Sequence, residues 1–417
     1  MAQYNFEGEI QNINERQLEF INSVIEKQGF KNSKVTFNAV GSAGDNYVAN
    51  VKRIIVEGEN GNLSIIAKIA PASEHIRDNF HSATLFNNEC FMYAKVLPKF
   101  SQLQKQAGVP EEEQIKFPKC YGSLNEAPNE IILLEDVKAK GYTMLDRFIP
   151  LTDYVVKSVL KSLAVWHSLS YVLKQKEPET YNYFKDNLID FYEILARKEE
   201  YNPAAAFISQ IDKMAVGVLA DYPEYQNIIK DKATDSLERA ARLQKVENGS
   251  RFAVLHHGDA WTNNIMFQFQ GDTLKEAMLI DYQLARNSSP VSDLMYFIFN
   301  CTHHNARVEH FYEWLDYYHS ELDNALSNYG IKANYAYPRD QLDADIKRYS
   351  KVALGNAIVS ISMTGLKPEE ASKVKEQMDS ADISNVSSVN SMDTASLSDY
   401  KKKLLGLLES FNRFGLL

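Results

Sequence analysis

Hydrophobic periodicity changes once along this chain, and that change limits the folds open to it. Three early runs, Lys34 to Val40, Tyr47 to Glu57 and Leu63 to Ala70, are rich in β-branched and aromatic residues and read as strands. Asn60-Gly61 lies between the second and third. Both residues tolerate positive φ, so the pair predicts a tight hairpin. In the third run Leu63, Ile65, Ala67 and Ile69 share one face, while Ile66 and Lys68 share the other. A helical stretch follows from Asn79 to Leu97, with Phe86, Cys90, Tyr93 and Leu97 on one side, and Pro98 is expected to stop it. Ile131 to Val137 is a further strand. From about Leu151 the pattern is mostly helical, and Val155, Val159, Leu163, Trp166 and Ser170 mark one face. Short apolar strands interrupt it at Phe252 to His256 and Ala277 to Ile280, and helices resume from Asp293 to about Met378.

The expected fold class is therefore α+β. Residues 1–33 read as an N-terminal helical extension around Leu18, Ile21, Val24 and Ile25. Residues 34–137 form a small β-rich N-lobe with one key helix, and residues 138–417 a large, mainly helical C-lobe. Within the latter, the Ser/Asn/Asp-rich tract 380–398 lacks the apolar content to order itself and reads as a flexible loop. A closing helix runs from about Leu397 to Phe414.

Composition excludes several classes of function. The net charge of −10 over 417 residues argues against a nucleic acid or an anionic membrane as partner. No run of about 18 apolar residues is present, so no membrane-spanning segment is expected. Met1 to Ile10 carries Glu7 and Glu9 and no apolar run, unlike a signal peptide. Cys90, Cys120 and Cys301 are scattered and odd in number, as reduced thiols would be. A cytoplasmic protein with no obligate protein partner is the expectation.

The chemistry is concentrated in two places. Apolar strand residues lead into His257-Gly258-Asp259, Asn264 follows the Asp by five positions, and Asp281 closes a strand 17 residues later. This is the order of a kinase catalytic loop. Asp259 would orient the attacking hydroxyl and accept its proton. Asn264 and Asp281 are hard oxygen ligands suited to Mg²⁺ on a triphosphate. Alone, the first motif could equally be a turn with Asp259 capping it. In the N-terminal half, Gly41-Ser42-Ala43-Gly44 joins the first two strands, where backbone N–H groups could approach phosphates. Lys68 and then Glu89 follow, as a phosphate-binding Lys and the Glu that holds it would. Each is ordinary in isolation; their order is not.

On these residues the chain resembles the aminoglycoside-phosphotransferase type of small-molecule kinase. More closely it resembles the ecdysteroid kinase-like family, also called CHK kinase-like proteins. The resemblance rests on Gly44-Asp45-Asn46-Tyr47, Ala67-Lys68, Phe86-Asn87-Asn88-Glu89-Cys90 with Tyr93 and Leu97-Pro98, Leu134-Glu135-Asp136, Trp166-His167, His257 to Asn264, and Asp281-Tyr282-Gln283. Ala260 stands where a larger apolar residue is usual, and Tyr282 where Phe is commoner; neither is a reacting group. The resemblance implies a two-lobed protein-kinase-like fold with ATP and Mg²⁺ as cofactors. Gly41, Gly44, Lys68 and Glu89 would bind ATP, and Glu135 to Val137 would offer backbone groups to adenine. Asp259 would be catalytic, Asn264 and Asp281 would hold the metal, and Asp293 would brace the loop that His257 orients.

Two features argue against a protein substrate. Gly258 replaces the Arg that couples to a phosphorylated activation loop, and only about ten residues separate Asp281 from the next helix. Instead, about 115 residues precede Asp259 in the C-lobe. Among them Tyr181, Tyr183, Phe184, Phe191, Tyr192, Tyr201 and Phe207 could line an acceptor pocket or simply pack helices. The expected reaction is phosphorylation of a hydroxyl on a small lipophilic molecule, an ecdysteroid or a xenobiotic alcohol. A choline or ethanolamine kinase is the alternative within the fold, disfavoured by Tyr-Gln-Leu-Ala-Arg-Asn after Asp281. A catalytically silent binding protein is the alternative outside enzymes.

Overall fold

The computed structural model describes residues 5–31, 33–41, 49–59, 61–196, 203–379 and 391–417. The first lobe is a six-stranded sheet. Its strands are β1 (Asn5–Gly8), β2 (Lys34–Ala39), β3 (Asn50–Gly58), β4 (Gly61–Ile69), β5 (Cys120–Leu124) and β6 (Ile131–Glu135), in the spatial order β1-β2-β3-β4-β6-β5. All neighbours are antiparallel except β1 and β2, which run parallel. Gly58 pairs with Gly61 at the β3–β4 turn, so the expected hairpin forms there; Asn60 itself lies outside the described residues.

The alternation read in β4 decides which face does what. Ile65, Ala67 and Ile69 are fully covered, packed with Val35, Phe37 and Leu133. Ile21, Val24 and Ile25 of the Glu15–Lys27 helix belong to the same cluster. Asn14 and Gln17 cap that helix reciprocally. Ile66 and Lys68, on the other face, line a cleft against the second lobe. Residues 1–33 are thus more than a helical extension, since β1 adds a strand to the sheet. With four residues, two of them Gly and Glu, β1 carries no period for a sequence pattern to show.

Pro98 does not end its helix. The Ser82–Phe91 helix passes through a π-helical turn, Met92–Val96, into a further helix, Leu97–Gln106. There the Leu97 N–H reaches the Met92 carbonyl, five residues back. The wider turn makes room for a proline ring that would otherwise strike the carbonyl four residues earlier. Phe86, Tyr93, Leu97 and Phe100 of this long element belong to one continuous core with Leu160, Trp166 and Tyr282 of the second lobe.

The second lobe is helical, with two small sheets among its described residues. β7 (Tyr142–Thr143) pairs with β9 (Ile265–Gln270), which forms a hairpin with β10 (Thr273–Leu279); β8 (Val254–His256) pairs with β11 (Arg286–Ser288). Below them the Asp153–Lys176 and His304–Ser327 helices pack side by side, and the Arg339–Thr364 helix packs on the Lys232–Glu247 and Pro290–Cys301 helices. Of the tract expected to be flexible, residues 380–390 lie outside the described residues. The rest is built in. Asp393 caps a helix that starts at Thr394, pairs with Lys367 at 2.7 Å, and donates its N–H to Glu370 at 2.8 Å. Caps of this kind depend on one side chain and leave no apolar signal. Cys90, Cys120 and Cys301 are all free thiols. Among the described residues, no helix is long and apolar enough to cross a membrane.

The crossing of the Arg339–Thr364 and Lys232–Glu247 helices depends on Gly355. A Cβ there would lie 2.3 Å from the Ser236 Cβ and 2.5 Å from the Lys232 carbonyl oxygen. Neither is the free end of a flexible side chain, so the helices would have to part. Gly355→Ala is expected to lower unfolding free energy by about 1–3 kcal/mol, the usual range for overpacking. Denaturant unfolding measures this, and an unchanged midpoint would show that the crossing gives way without loss.

Candidate active site

The face of β4 opposite the sheet core aims Lys68 into the cleft. Its Nζ lies 2.5 Å from Glu89 Oε2, 2.7 Å from Asp281 Oδ1 and 3.2 Å from Gln283 Oε1. Lys68 and Glu89 are both buried. Burial alone would pull the Lys68 ammonium down, but Asp281 and Glu89 hold its pKa above the ordinary value. It is therefore charged. Burial pushes the Glu89 carboxyl up to about 7, with the Lys68 charge opposing. The three groups come from β4, the Ser82–Phe91 helix and the residue two places beyond β10.

Leaving β8, the chain turns at Gly258 with φ +88°. A Cβ at this position would sit 2.2 Å from the Leu284 carbonyl oxygen. Both the left-handed backbone and the close approach require glycine. The turn presents Asp259, whose Oδ1 accepts from the Tyr296 hydroxyl at 2.8 Å and whose Oδ2 accepts from Asn264 Nδ2 at 2.8 Å. Loss of water around the carboxylate, then the charge of Asp281, push its pKa up to about 7 against those two hydrogen bonds. Asn264 also donates to the Asp259 carbonyl at 3.0 Å. Its amide nitrogen is thereby committed, which leaves its oxygen to face the cleft it lines. Asp281 has φ +66°, a conformation that Asp tolerates better than most side chains.

Asp293 holds this loop in place. It accepts the N–H groups of His257 at 2.7 Å and Gly258 at 2.8 Å, and its oxygens lie 3.0 Å from His167 Nε2 and 3.2 Å from His256 Nδ1. Burial alone would raise its pKa, yet His256 and His167 keep the carboxyl well below the usual range. His256 itself is pushed down to about 4 by burial and is neutral. His257 accepts the Asp259 N–H at Nδ1, 3.2 Å, so its Nε2 carries the proton and donates to the Ile280 carbonyl at 3.0 Å. The imidazole thus spans the loop and the strand end before Asp281. Tyr282 adds a column of rings, stacked on Trp166 at 5.3 Å and edge-on to Tyr93 at 5.5 Å, with His257 at 5.2 Å.

The cleft takes in Gly41, Lys68, Glu89, Glu135, Val137 and Asn264, together with Asp281. Gly44 lies outside the described residues. At the lobe junction Glu135 donates its backbone N–H to the Lys119 carbonyl at 2.8 Å, so that donor is already used. Val137 packs with Met266 and Met278 beneath the cleft. Sequence reading missed Gln283, which also holds Lys68, and Tyr296, which holds Asp259. Tyr296 was within reach, since three residues from Asp293 on a helix is the same face. Of the aromatic residues that could line an acceptor pocket or pack helices, Tyr181, Phe184 and Phe207 pack as buried core, and Tyr201 lies outside the described residues. Tyr192 differs: it lies under the Arg286 guanidinium at 4.6 Å and is near enough to Asp259 for that charge to raise its pKa further. Trp261, half-buried, packs against the core.

Asp293→Ala would leave three donors without their acceptor, the N–H groups of His257 and Gly258 and the His167 ring. Removing one partner of a buried ionic network costs on the order of 3–5 kcal/mol. Chemical denaturation should show a loss of that size, and a loss under about 1 kcal/mol would mean that the loop is held elsewhere.

A model of the ecdysteroid kinase-like family matches residues 43–331, well over half of the chain. No curated protein matches the sequence. Among solved structures, a Plasmodium vivax ethanolamine kinase is similar at 16% identity, over 95% of this chain and 89% of that one, with a TM-score of 0.41. A spectinomycin phosphotransferase in complex with ADP and spectinomycin is similar at 14% identity, over 96% and 99%, with a TM-score of 0.45. The GDP complex of an aminoglycoside 2′-phosphotransferase is similar at 13% identity, over 95% and 98%, with a TM-score of 0.42. The lobes, the strand order and the family match stand without these scores. The chain belongs to the ecdysteroid kinase-like family and is a small-molecule phosphotransferase with a hydroxyl group as acceptor.

Proposed function

We propose that this protein transfers the γ-phosphoryl group of ATP to a hydroxyl of a small lipophilic molecule, an ecdysteroid or a xenobiotic alcohol. The observation that carries the reading is Lys68, bonded at once to Glu89 and Asp281 in a cleft that Asn264 shares. In this reading Lys68 binds the ATP phosphates and Glu89 holds it in position. Gly41 lies over the phosphates, and the carbonyl side of Glu135 to Val137 faces adenine. The acceptor oxygen bonds to the γ-phosphorus as the bond to the β–γ bridging oxygen breaks, and its proton passes to Asp259. A carboxyl whose pKa stands near 7 suits that role, because it can take a proton and release it again at neutral pH. The donor set fits Mg²⁺: the Asn264 amide oxygen and the Asp281 carboxylate are hard ligands on one wall of the cleft. Bound there, the ion would neutralise charge on the phosphates.

The substrate class rests on the family and on charge. No acidic cluster follows Asp281 to hold a polycation, and a neutral polycyclic alcohol binds through apolar burial at roughly 25 cal/mol per Å². A quaternary ammonium would need an aromatic cage.

Asp259→Asn is expected to lower turnover by roughly 10²- to 10⁴-fold with little change in ATP affinity. Asp281→Asn should weaken Mg-ATP binding itself. Single-turnover transfer and nucleotide titration separate the two, and near-normal turnover of Asp259→Asn would remove it from catalysis. For the acceptor, kcat/KM is compared for an ecdysteroid, a xenobiotic alcohol, choline and an aminoglycoside under the same Mg-ATP. The first two should lead; a clear preference for choline or the aminoglycoside would overturn the substrate class and leave the kinase reading standing.

A further inference from the structure

A second cavity lies in the helical lobe. Its walls are residues 147–150, the end of the Pro290–Cys301 helix, the start of the His304–Ser327 helix, and the Thr394–Arg413 helix. It holds about 850 Å³ of empty space, the open mouth included, far more than a single ion needs. Arg147, Arg307, Lys402 and Lys403 line it with His303 and His304, and no carboxylate does so among the described residues. In a chain of net charge −10 this is a local reversal of sign. Among the described residues, Glu409 lies 3.7 Å from His304 and Asp399 3.7 Å from Lys402 at the rim, and neither lines the cavity.

Arg307 is the informative member. It is 3% exposed, and it donates to the Ser410 hydroxyl at 2.9 Å, the Gly406 carbonyl at 3.0 Å, and the carbonyls of Thr302 and Phe299. Every one of these acceptors is neutral. Burial lowers its pKa and no carboxylate counters the effect. Buried charges are ordinarily paired with an opposite charge. The positive end of the 24-residue His304–Ser327 helix borders the same space and favours negative charge. The remaining wall is apolar, formed by Phe148, Phe299, Ile361 and Leu407.

We propose that this cavity binds an organic anion: an apolar body carrying one carboxylate, sulfate or phosphate group. It adjoins the candidate active site along two elements. Met144 lines the nucleotide cleft, and Arg147, three residues on, lines this cavity. Tyr296 bonds Asp259, and Phe299, about 5 Å further along the same helix, lines this cavity. The anion is therefore either a group on the acceptor alcohol itself or a separate ligand that is not consumed.

The test is calorimetric titration of the full-length protein at low ionic strength. The probes are naphthalene-2-sulfonate, its neutral match 2-naphthalenemethanol, and inorganic sulfate. The sulfonate should bind more tightly than either of the others. Lys403→Met and Arg147→Met should each weaken it about tenfold, the size of one lost charge-assisted contact. Lys402→Glu, at the exposed rim, serves as the second variant if either of these melts early. Absent sulfonate binding, equal binding in the variants, or equal binding of the neutral match would overturn the proposal. Mg-ATP binding is titrated on the same samples and should not change; its loss would bear on the kinase reading and not on this one. To separate the sources, 6-(hydroxymethyl)naphthalene-2-carboxylate is incubated with Mg-ATP. A mass gain of one phosphate, with KM raised in the variants, identifies an acceptor group, while binding without that gain identifies an unconsumed ligand.

Discussion

One buried ammonium connects the parts of this molecule that otherwise have little reason to meet. Lys68 reaches Glu89 at 2.5 Å and Asp281 at 2.7 Å, and so joins the sheet, the Ser82–Phe91 helix and the second lobe itself. A lysine taken out of water with no partner would lose its proton or turn outward. Two carboxylates prevent both outcomes. The geometry also works in reverse, because Glu89 is 1% exposed and would be equally costly alone. The relative placement of the lobes is thus coupled to the integrity of one ionic triad, and the groups proposed to handle the phosphates are the groups that hold the lobes together.

Beneath the triad lies a second hub of opposite sign. Asp293 accepts two backbone N–H groups of the His257-Gly258 turn and faces two imidazoles. Its fixed position explains why the turn can carry a glycine at φ +88° without becoming loose. From there His257 passes the constraint to the Ile280 carbonyl, and the ring of Tyr282 passes it to Tyr93 on the long first-lobe element. Asp259 and Asp281 are therefore set by two supports that meet at the same aromatic column. Neither acid depends on a loop free in solvent.

How much of this could be read from the sequence follows from the range of each interaction. The face assignment in β4 was legible because alternation is local: Ala67 went to the core and Lys68 to the cleft, as its period required. Lys68, Glu89 and Asp281 could be named in advance because kinase chemistry prescribes their order along the chain. β1 was not legible, since four residues make no pattern and its partner β2 begins 26 residues after β1 ends. Pro98 misled for a different reason. The rule that proline ends a helix assumes an α-helical turn before it, and here that turn is π-helical. Tyr181, Phe184 and Phe207 were ambiguous, because an aromatic residue on a helix looks the same whether it lines a pocket or fills a core. Arg307 gave no signal at all. A single arginine in a helix is ordinary, and only its burial among neutral acceptors distinguishes it.

The extra length of the second lobe has a structural use that its sequence did not suggest. Asn88, next to Glu89 and fully buried, donates from Nδ2 to the Ile189 carbonyl at 2.8 Å and accepts the Ile189 N–H at 2.9 Å. Its amide pairs with one residue of the other lobe as a strand would. It also donates to the Gln283 carbonyl at 3.3 Å, beside the Asp281 segment. Nearby, His81 meets Phe191 edge-on at 6.2 Å, and Phe91 meets Tyr183 and Phe184 at 5.7 and 5.9 Å. Apart from the Gln283 bond, these contacts join the helix that carries Glu89, or its N-cap residue His81, to residues 183–191. A helix held only by Lys68 could tilt away whenever that ion pair opened, and Glu89 would then be out of place. With the helix clamped along its length, Lys68 can loosen from Asp281 while Glu89 keeps its position. The residues between the lobe junction and Asp259 therefore serve as a buttress for the first lobe. That arrangement takes the task of holding the Glu89 helix away from the segment after Asp281, and it agrees with the short span of eight residues, 282–289, between Asp281 and the next helix.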